Sequence, residues 1–135
     1  MAEMNGQVAL VTGGIRGIGL AICERLMNRG IKVIDEVLDQ HGHLDILVNN
    51  AGITVDKTVR RMTPAEWDHV IHVNLSGAFY LSRAVLQHML DRGYGRIINI
   101  SSVIGSAGGF GQANYAAAKS GSVRADDEPS PGDRE

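Results

Sequence analysis

Short apolar runs that end in glycine, with helical stripes between them, leave this chain few ways to fold. QVALVTG (7–13) has the length and composition of a buried strand. IGLAICERLMNRG (18–30) follows, with Ile18, Ile22 and Leu26 on one helical face and Gly30 as a stop. IKVI (31–34) reads as a second strand, DEVLDQHGH (35–43) as a short polar connector of helical character, and LDILVNNAG (44–52) as a third strand. Thr63 before Pro64, with Glu66 in the first turn, starts a helix. Trp67, Val70, Ile71, Leu75, Phe79, Leu81 and Leu86 carry that helix to about Arg92. GRIINIS (95–101) is a fourth strand, and GQANYAAAKSG (111–121) opens a last helix. Strands alternating with helices mean an α/β fold with a mostly parallel sheet.

The bulk numbers narrow the function. A net charge of −2 gives no strong pull toward nucleic acid or an anionic membrane. No apolar run is long enough to span a bilayer. The single cysteine, Cys23, cannot close an internal disulfide, and MAEMNGQVALVTGG lacks the basic start and cleavage pattern of a signal peptide. A cytoplasmic setting is the expectation. The 17 glycines are the outlier, against about nine at average usage.

Several of those glycines cluster between the first strand and first helix, in TGGIRGIG (12–19). Gly13 can turn the chain off the strand, Gly17 lets the backbone approach a diphosphate, and Gly19 lets the helix pack close. The helix start, at Ile18, then offers free N–H groups to the anion. Alone, such a run is also compatible with an ordinary glycine-rich turn. Strand before and helix after favour dinucleotide binding.

Further motifs follow in order: NNAG (49–52), HVNLSG around Asn74, ISSVIG around Ser102, and Tyr115 with Lys119 four residues on. With the Gly-x-x-x-Gly-x-Gly loop they resemble the short-chain dehydrogenase/reductase family over residues 7–121. DRGYGRIINISS and GFGQANYAAAKSG are most similar to its acetoacetyl-CoA and 3-oxoacyl-ACP reductase branch. The resemblance implies a Rossmann-like three-layer sandwich. It implies a cofactor site at Gly13, Arg16, Gly17, Ile18, Gly19, Asn50, Ala51, Gly52, Tyr115 and Lys119. It also implies a catalytic set of Asn74, Ser102, Tyr115 and Lys119, and a 3-oxoacyl thioester substrate. Its oligomerisation helix corresponds to 64–92, so a homo-oligomer through that helix is expected.

The chemistry fits those residue types. Reducing a ketone needs a hydride, which a nicotinamide brings, and a proton, which the protein supplies. Lys119 lies one helical turn beyond Tyr115, and its ammonium favours the phenolate. By resemblance it also holds the nicotinamide ribose. Ser102 can hydrogen-bond the carbonyl oxygen as charge builds there. Asn74, by resemblance, holds a water that passes protons to the lysine. Standing alone, a Tyr/Lys pair at this spacing is usually a solvated helix face. Arg16 can reach the 2′-phosphate of NADP, whereas Asp35, about twenty residues past the loop, stands where an acid would favour NAD. By resemblance Asp35 belongs to a later helix, and NADP(H) is favoured over NAD(H). His69 and His72, three apart on a helix, lack an evident third ligand, and no metal is expected.

Two departures from the family pattern stand out. IKVI runs straight into DEVLDQHGH, so one strand and most of two helices are missing, and the fold is expected to be incomplete. A crossing from one side of strand one to the other needs about 20 Å. Nine residues reach roughly 30 Å extended but only ~13 Å as a helix. Residues 35–43 therefore cannot be fully helical and also make that crossing. The second departure is SVRADDEPSPGDRE (122–135), which lacks the family's apolar continuation and reads as a disordered acidic tail after a 1–121 domain. Codons chosen for Val123 to Glu135, shifted by one base, can read Ser-Gly-Leu-Thr-Met-Ser-Leu-Ala-Leu-Glu-Ile-Ala. That is an amphipathic helix, and it makes an out-of-frame tail the sharper expectation, which sequencing the gene decides. Both departures keep a second reading open, a fragment that binds nucleotide or mediates oligomer contacts without turnover.

Overall fold

The computed structural model describes residues 6–13 and 34–124. Three strands, β1 (Ala9–Val11), β2 (Ile46–Asn49) and β3 (Arg96–Asn99), form one parallel sheet in the order β1-β2-β3. Helices flank it in a Rossmann-like α/β arrangement, partial relative to the larger fold expected. The glycine loop beyond Gly13, the helix expected at 18–30 and the tail beyond Arg124 lie outside the described residues.

The pleat sorts the apolar residues. Leu10, Leu47 and Ile97 stand in one row across the sheet, and Val11, Val48 and Ile98 in the next, on the opposite face. Helix α1 (34–41) covers the first row, together with the long helix that joins β2 to β3. Ile34, Leu44, Leu47, Val85 and Met89 form the buried cluster there, with Val37, Leu38, Leu81 and Ala84 packed against it. On the other face Val11 keeps 58% and Ile98 45% of their surface exposed.

Ile34 corrects the expectation of a second strand at 31–34. It is helical, in α1, instead of ending a strand, and residues 31–33 lie outside the described residues. Its side chain, with Val37 and Leu38, supplies the i, i+3, i+4 stripe of a helix on the core. A short apolar run is ambiguous between buried strand and buried helix. Here the polar stretch after it completes a helical pattern. Residues 42–43 are not helical, so the 35–43 segment is helical only in part.

The helical run from Pro64 to Arg92 has the expected length, and its start has the expected cap. Helix α2 (Pro64–Ile71) opens with a capping box: Thr63 accepts from the Glu66 N–H, and Glu66 accepts from the Thr63 N–H. A π-helical turn, His72–Ser76, interrupts the run before α3 (Gly77–Arg92). Asn74 explains the turn. Its side-chain amide donates to the Val70 carbonyl four residues back, at 2.8 Å. That carbonyl would otherwise take the Asn74 backbone N–H, and the ladder widens instead, with the Gly77 N–H reaching His72. The short helix α4 (Val103–Ala107), which sequence patterning does not suggest, leads to α5 (Ala113–Arg124), which packs on α2, the π turn and α4.

Candidate active site

The site lies where β1, β2 and β3 end, the edge at which parallel sheets hold their ligands. Gly13, the first residue after Thr12, has φ +88, in the left-handed region. A Cβ there would lie 2.6 Å from Ala51 Cα and 2.8 Å from Ala51 N. The expected glycine turn therefore exists, and it presses against Ala51 of the NNAG segment. Thr12 sets that contact. Its hydroxyl accepts from the N–H groups of Asn50 and Ala51, both at 3.1 Å, while the Asn50 side chain donates to the Thr12 carbonyl at 3.1 Å. Sequence alone does not single out Thr12; its residue type says nothing until the two segments meet. Gly13→Ala is expected to destabilise the fold by about 2 kcal/mol or more, from the left-handed backbone and the backbone clash together, read as a lower urea midpoint.

Lys119 is the centre of the second half. Its side chain is buried, with only 4% of the residue exposed, and its ammonium donates to the Ile100 carbonyl at 2.5 Å. Burial pushes its pKa below the ordinary lysine value. The same ammonium stands 5.8 Å from the centroid of the Tyr115 ring, one turn earlier on α5. The two side chains thus share one flank of the helix. Ser101, which lies inside the ISSVIG motif but has no role assigned by it, donates its hydroxyl to the Lys119 carbonyl at 2.9 Å and ties α5 to the end of β3.

Asn74 is buried, and its amide is spent largely on the loop after β2. It accepts from the Ile53 N–H at 3.2 Å and donates to the Ile53 carbonyl at 2.9 Å. Between Asn74 and Lys119 lies Gly52. A Cβ on Gly52 would fall 2.6 Å from Asn74 Oδ1 and 3.7 Å from Lys119 Nζ. The absence of a side chain at Gly52 lets the Asn74 amide oxygen and the Lys119 ammonium close in on the backbone there. Ser102 caps α4, accepting from the Ile104 N–H at 3.2 Å; its own O–H remains able to donate.

The structure therefore gathers Gly52, Asn74, Tyr115 and Lys119, and separately joins Gly13 to Asn50 and Ala51. Arg16, Gly17, Ile18 and Gly19 lie outside the described residues. Asp35 is exposed on α1 rather than placed after a strand. Beside the start of α5 is an open cleft of about 460 Å³ lined by Asp56, Lys57, Thr58, Arg61, Phe110 and Gly111. Among the described residues no helix is long and apolar enough to cross a membrane.

The family model for short chain dehydrogenase matches residues 31–125. The chain belongs to the short-chain dehydrogenase family. This family member is 43% identical to the acetoacetyl-CoA reductase of Allochromatium vinosum, over 85% of this chain and 64% of that one. It is 39% identical to the acetoacetyl-CoA reductase of Cupriavidus necator, over 87% and 65%. It is 41% identical to the 3-oxoacyl-[acyl-carrier-protein] reductase FabG of Vibrio cholerae, over 90% and 65%. The chain thus spans slightly less than two thirds of the length of these curated relatives. The first alignment runs over 157 positions, more than the 135 residues of the whole chain. The relative therefore carries residues with no counterpart in this short-chain dehydrogenase.

Proposed function

We propose that this chain is an NADP-dependent carbonyl reductase acting on a 3-oxoacyl thioester, acetoacetyl-CoA or its acyl-carrier-protein equivalent. The observation that carries the reading is the Lys119 ammonium set over the Tyr115 ring and anchored on Ile100. The names of the relatives supply the substrate class, and Arg61 along the cleft beside α5 suits the phosphates of such a carrier.

The residues present fit a dinucleotide. The left-handed Gly13 turn at the sheet's carboxyl edge, with no room for a Cβ, is the start of a phosphate cradle. Gly17, Ile18 and Gly19 would continue it, and Arg16 would meet the 2′-phosphate. Asn50, Ala51 and Gly52 would line the adenosine side, with Tyr115 and Lys119 holding the nicotinamide ribose. When bound, the cofactor supplies the hydride.

The chain's own groups handle the proton. Tyr115 Oη donates to the substrate oxygen, and the nearby ammonium stabilises the phenolate that remains. The Ser102 O–H hydrogen-bonds the same oxygen and steadies its developing charge. Lys119 then returns a proton to that phenolate and is itself resupplied by a water that Asn74 would hold. Helix α3, with Phe79, Leu86 and Leu90 exposed, is the face on which a homo-oligomer would form. The setting we assign is cytoplasmic, with no nucleic-acid or membrane partner.

The exposed Val11–Ile98 face favours a second reading, in which the chain binds nucleotide or a partner without turnover. Two measurements separate the readings. NADPH fluorescence should change on titration with protein, and NADPH should be oxidised when acetoacetyl-CoA is added. Binding without oxidation supports the second reading; neither leaves only an interaction module.

A further inference from the structure

Asn114 precedes Tyr115 and is fully buried, with 0% of its surface exposed. A buried primary amide is costly unless its hydrogen bonds are made, and here they reach three separate elements. Its Nδ2 donates to the Val55 carbonyl at 3.2 Å, in the loop after β2, and to the Glu66 carbonyl at 3.4 Å, in the first turn of α2. Its Oδ1 accepts from the Tyr115 N–H at 2.8 Å. That N–H lies in the first turn of α5, where helices leave donors without a partner.

The loop that Asn114 grips is the one Asn74 grips at its other end. Asn74 bonds Ile53 in both directions, and Asn114 takes Val55 two residues on. The stitching continues outward: the Lys57 N–H donates to the Gly111 carbonyl at 2.7 Å, and Gln112 donates to Asp56 at 3.1 Å. One extended segment is thus pinned to the π turn on one side and to the start of α5 on the other. The bonds to Val55 and Glu66 join residues 59 and 48 positions apart. They fix where α5 begins relative to the rest of the site, and Tyr115 is the next residue.

We propose that Asn114 is a positioning residue for Tyr115: by tying the first turn of α5 to Val55 and Glu66, it sets where the phenol stands relative to the loop after β2 and to α2. The donor half of the amide does this work, because the acceptor half serves only the local helix start. The inference rests on the reductase reading for its catalytic meaning, whereas the geometric part stands apart from turnover.

The test uses the full chain with Asn114→Ala and Asn114→Ser. The serine hydroxyl suits a helix start but is too short to reach the two distant carbonyls, so it decides the matter if the alanine variant does not fold. The first readout is the hydrogen-exchange protection of the Lys57 N–H, whose bond to the Gly111 carbonyl joins the loop to the start of α5 and needs no turnover. It is expected in the wild type and lost in the folded variants. The second is the kinetic split with NADPH and acetoacetyl-CoA: kcat is expected to fall about 10- to 100-fold while the KM for NADPH stays within about twofold. A folded Asn114→Ser protein that keeps the Lys57 N–H protected overturns the proposal, and so does one that keeps the wild-type kcat. If the wild type itself does not turn over, the reductase reading fails and the exchange protection of the Lys57 N–H alone decides the role of Asn114.

Discussion

Tyr115→Phe is expected to slow NADPH-dependent reduction of acetoacetyl-CoA by about 10³-fold, with NADPH still bound. The substitution removes one oxygen and one proton from the site and little else. The ring keeps its place on α5 beside the Lys119 ammonium, which lies 5.8 Å from the ring centroid. That ammonium keeps its bond to Ile100, and the Asn114 bond to the backbone of residue 115 is untouched. What disappears is the group to which the reductase reading assigns the proton for the substrate oxygen. The Ser102 hydroxyl can still donate a hydrogen bond there, so some stabilisation of charge survives and a residual rate is expected. The measurement is the initial rate of NADPH oxidation for both proteins, with the fluorescence titration run beside it. A phenylalanine variant that keeps more than a tenth of the wild-type rate would remove Tyr115 from the mechanism. An unchanged titration together with a collapsed rate would separate chemistry from binding.

Much of this site is legible in the amino-acid sequence. The order of Gly13, Asn50, Gly52, Asn74, Ser102, Tyr115 and Lys119 along the chain carries the family, and the four-residue spacing puts phenol and amine on one helical face. Thr63, Pro64 and Glu66 announce the start of α2, because a capping box is written within four residues. Contacts made across long separations are not legible in this way. Thr12 bridges to Asn50 and Ala51, 38 and 39 positions on, and Asn114 bridges to Val55 and Glu66. Threonine and asparagine are common at turns and caps, so nothing local distinguishes these two from their bland counterparts. Ile34 misleads for a different reason. By apolar content alone IKVI reads as a strand, whereas the stripe formed by Ile34, Val37 and Leu38 runs into the polar stretch beyond it.

Asp45 has no role that its sequence context reveals, and the second large effect is expected there. It sits at the opposite end of β2 from the active site, with only 3% of its surface exposed. One carboxylate oxygen accepts from the Val8 N–H at 2.8 Å and lies 3.3 Å from His43 Nε2; the other accepts from Arg92 Nη1 at 3.0 Å. A single side chain thus joins the entry to β1, the entry to β2 and the end of α3. The Val8 hydrogen bond, supported by that of Arg92 and opposed by burial, holds the Asp45 carboxyl below its ordinary value of 3.8. Asp45→Ala leaves the Val8 N–H and the Arg92 guanidinium without this partner and is expected to cost about 3 kcal/mol at pH 7. In a domain of this size that lowers the melting midpoint by roughly 10 °C or more. The pH dependence has a fixed sign. A carboxyl depressed in the folded state stabilises it fully above the ordinary value and loses that contribution as pH falls below 3.8 through the folded value. The gap between wild type and variant should therefore narrow below about pH 4, as the wild type falls toward the variant. Urea melts of both proteins at neutral and acidic pH measure it. A gap of the same size at both would mean that Asp45 acts through shape alone and that its charge does not hold the three segments together.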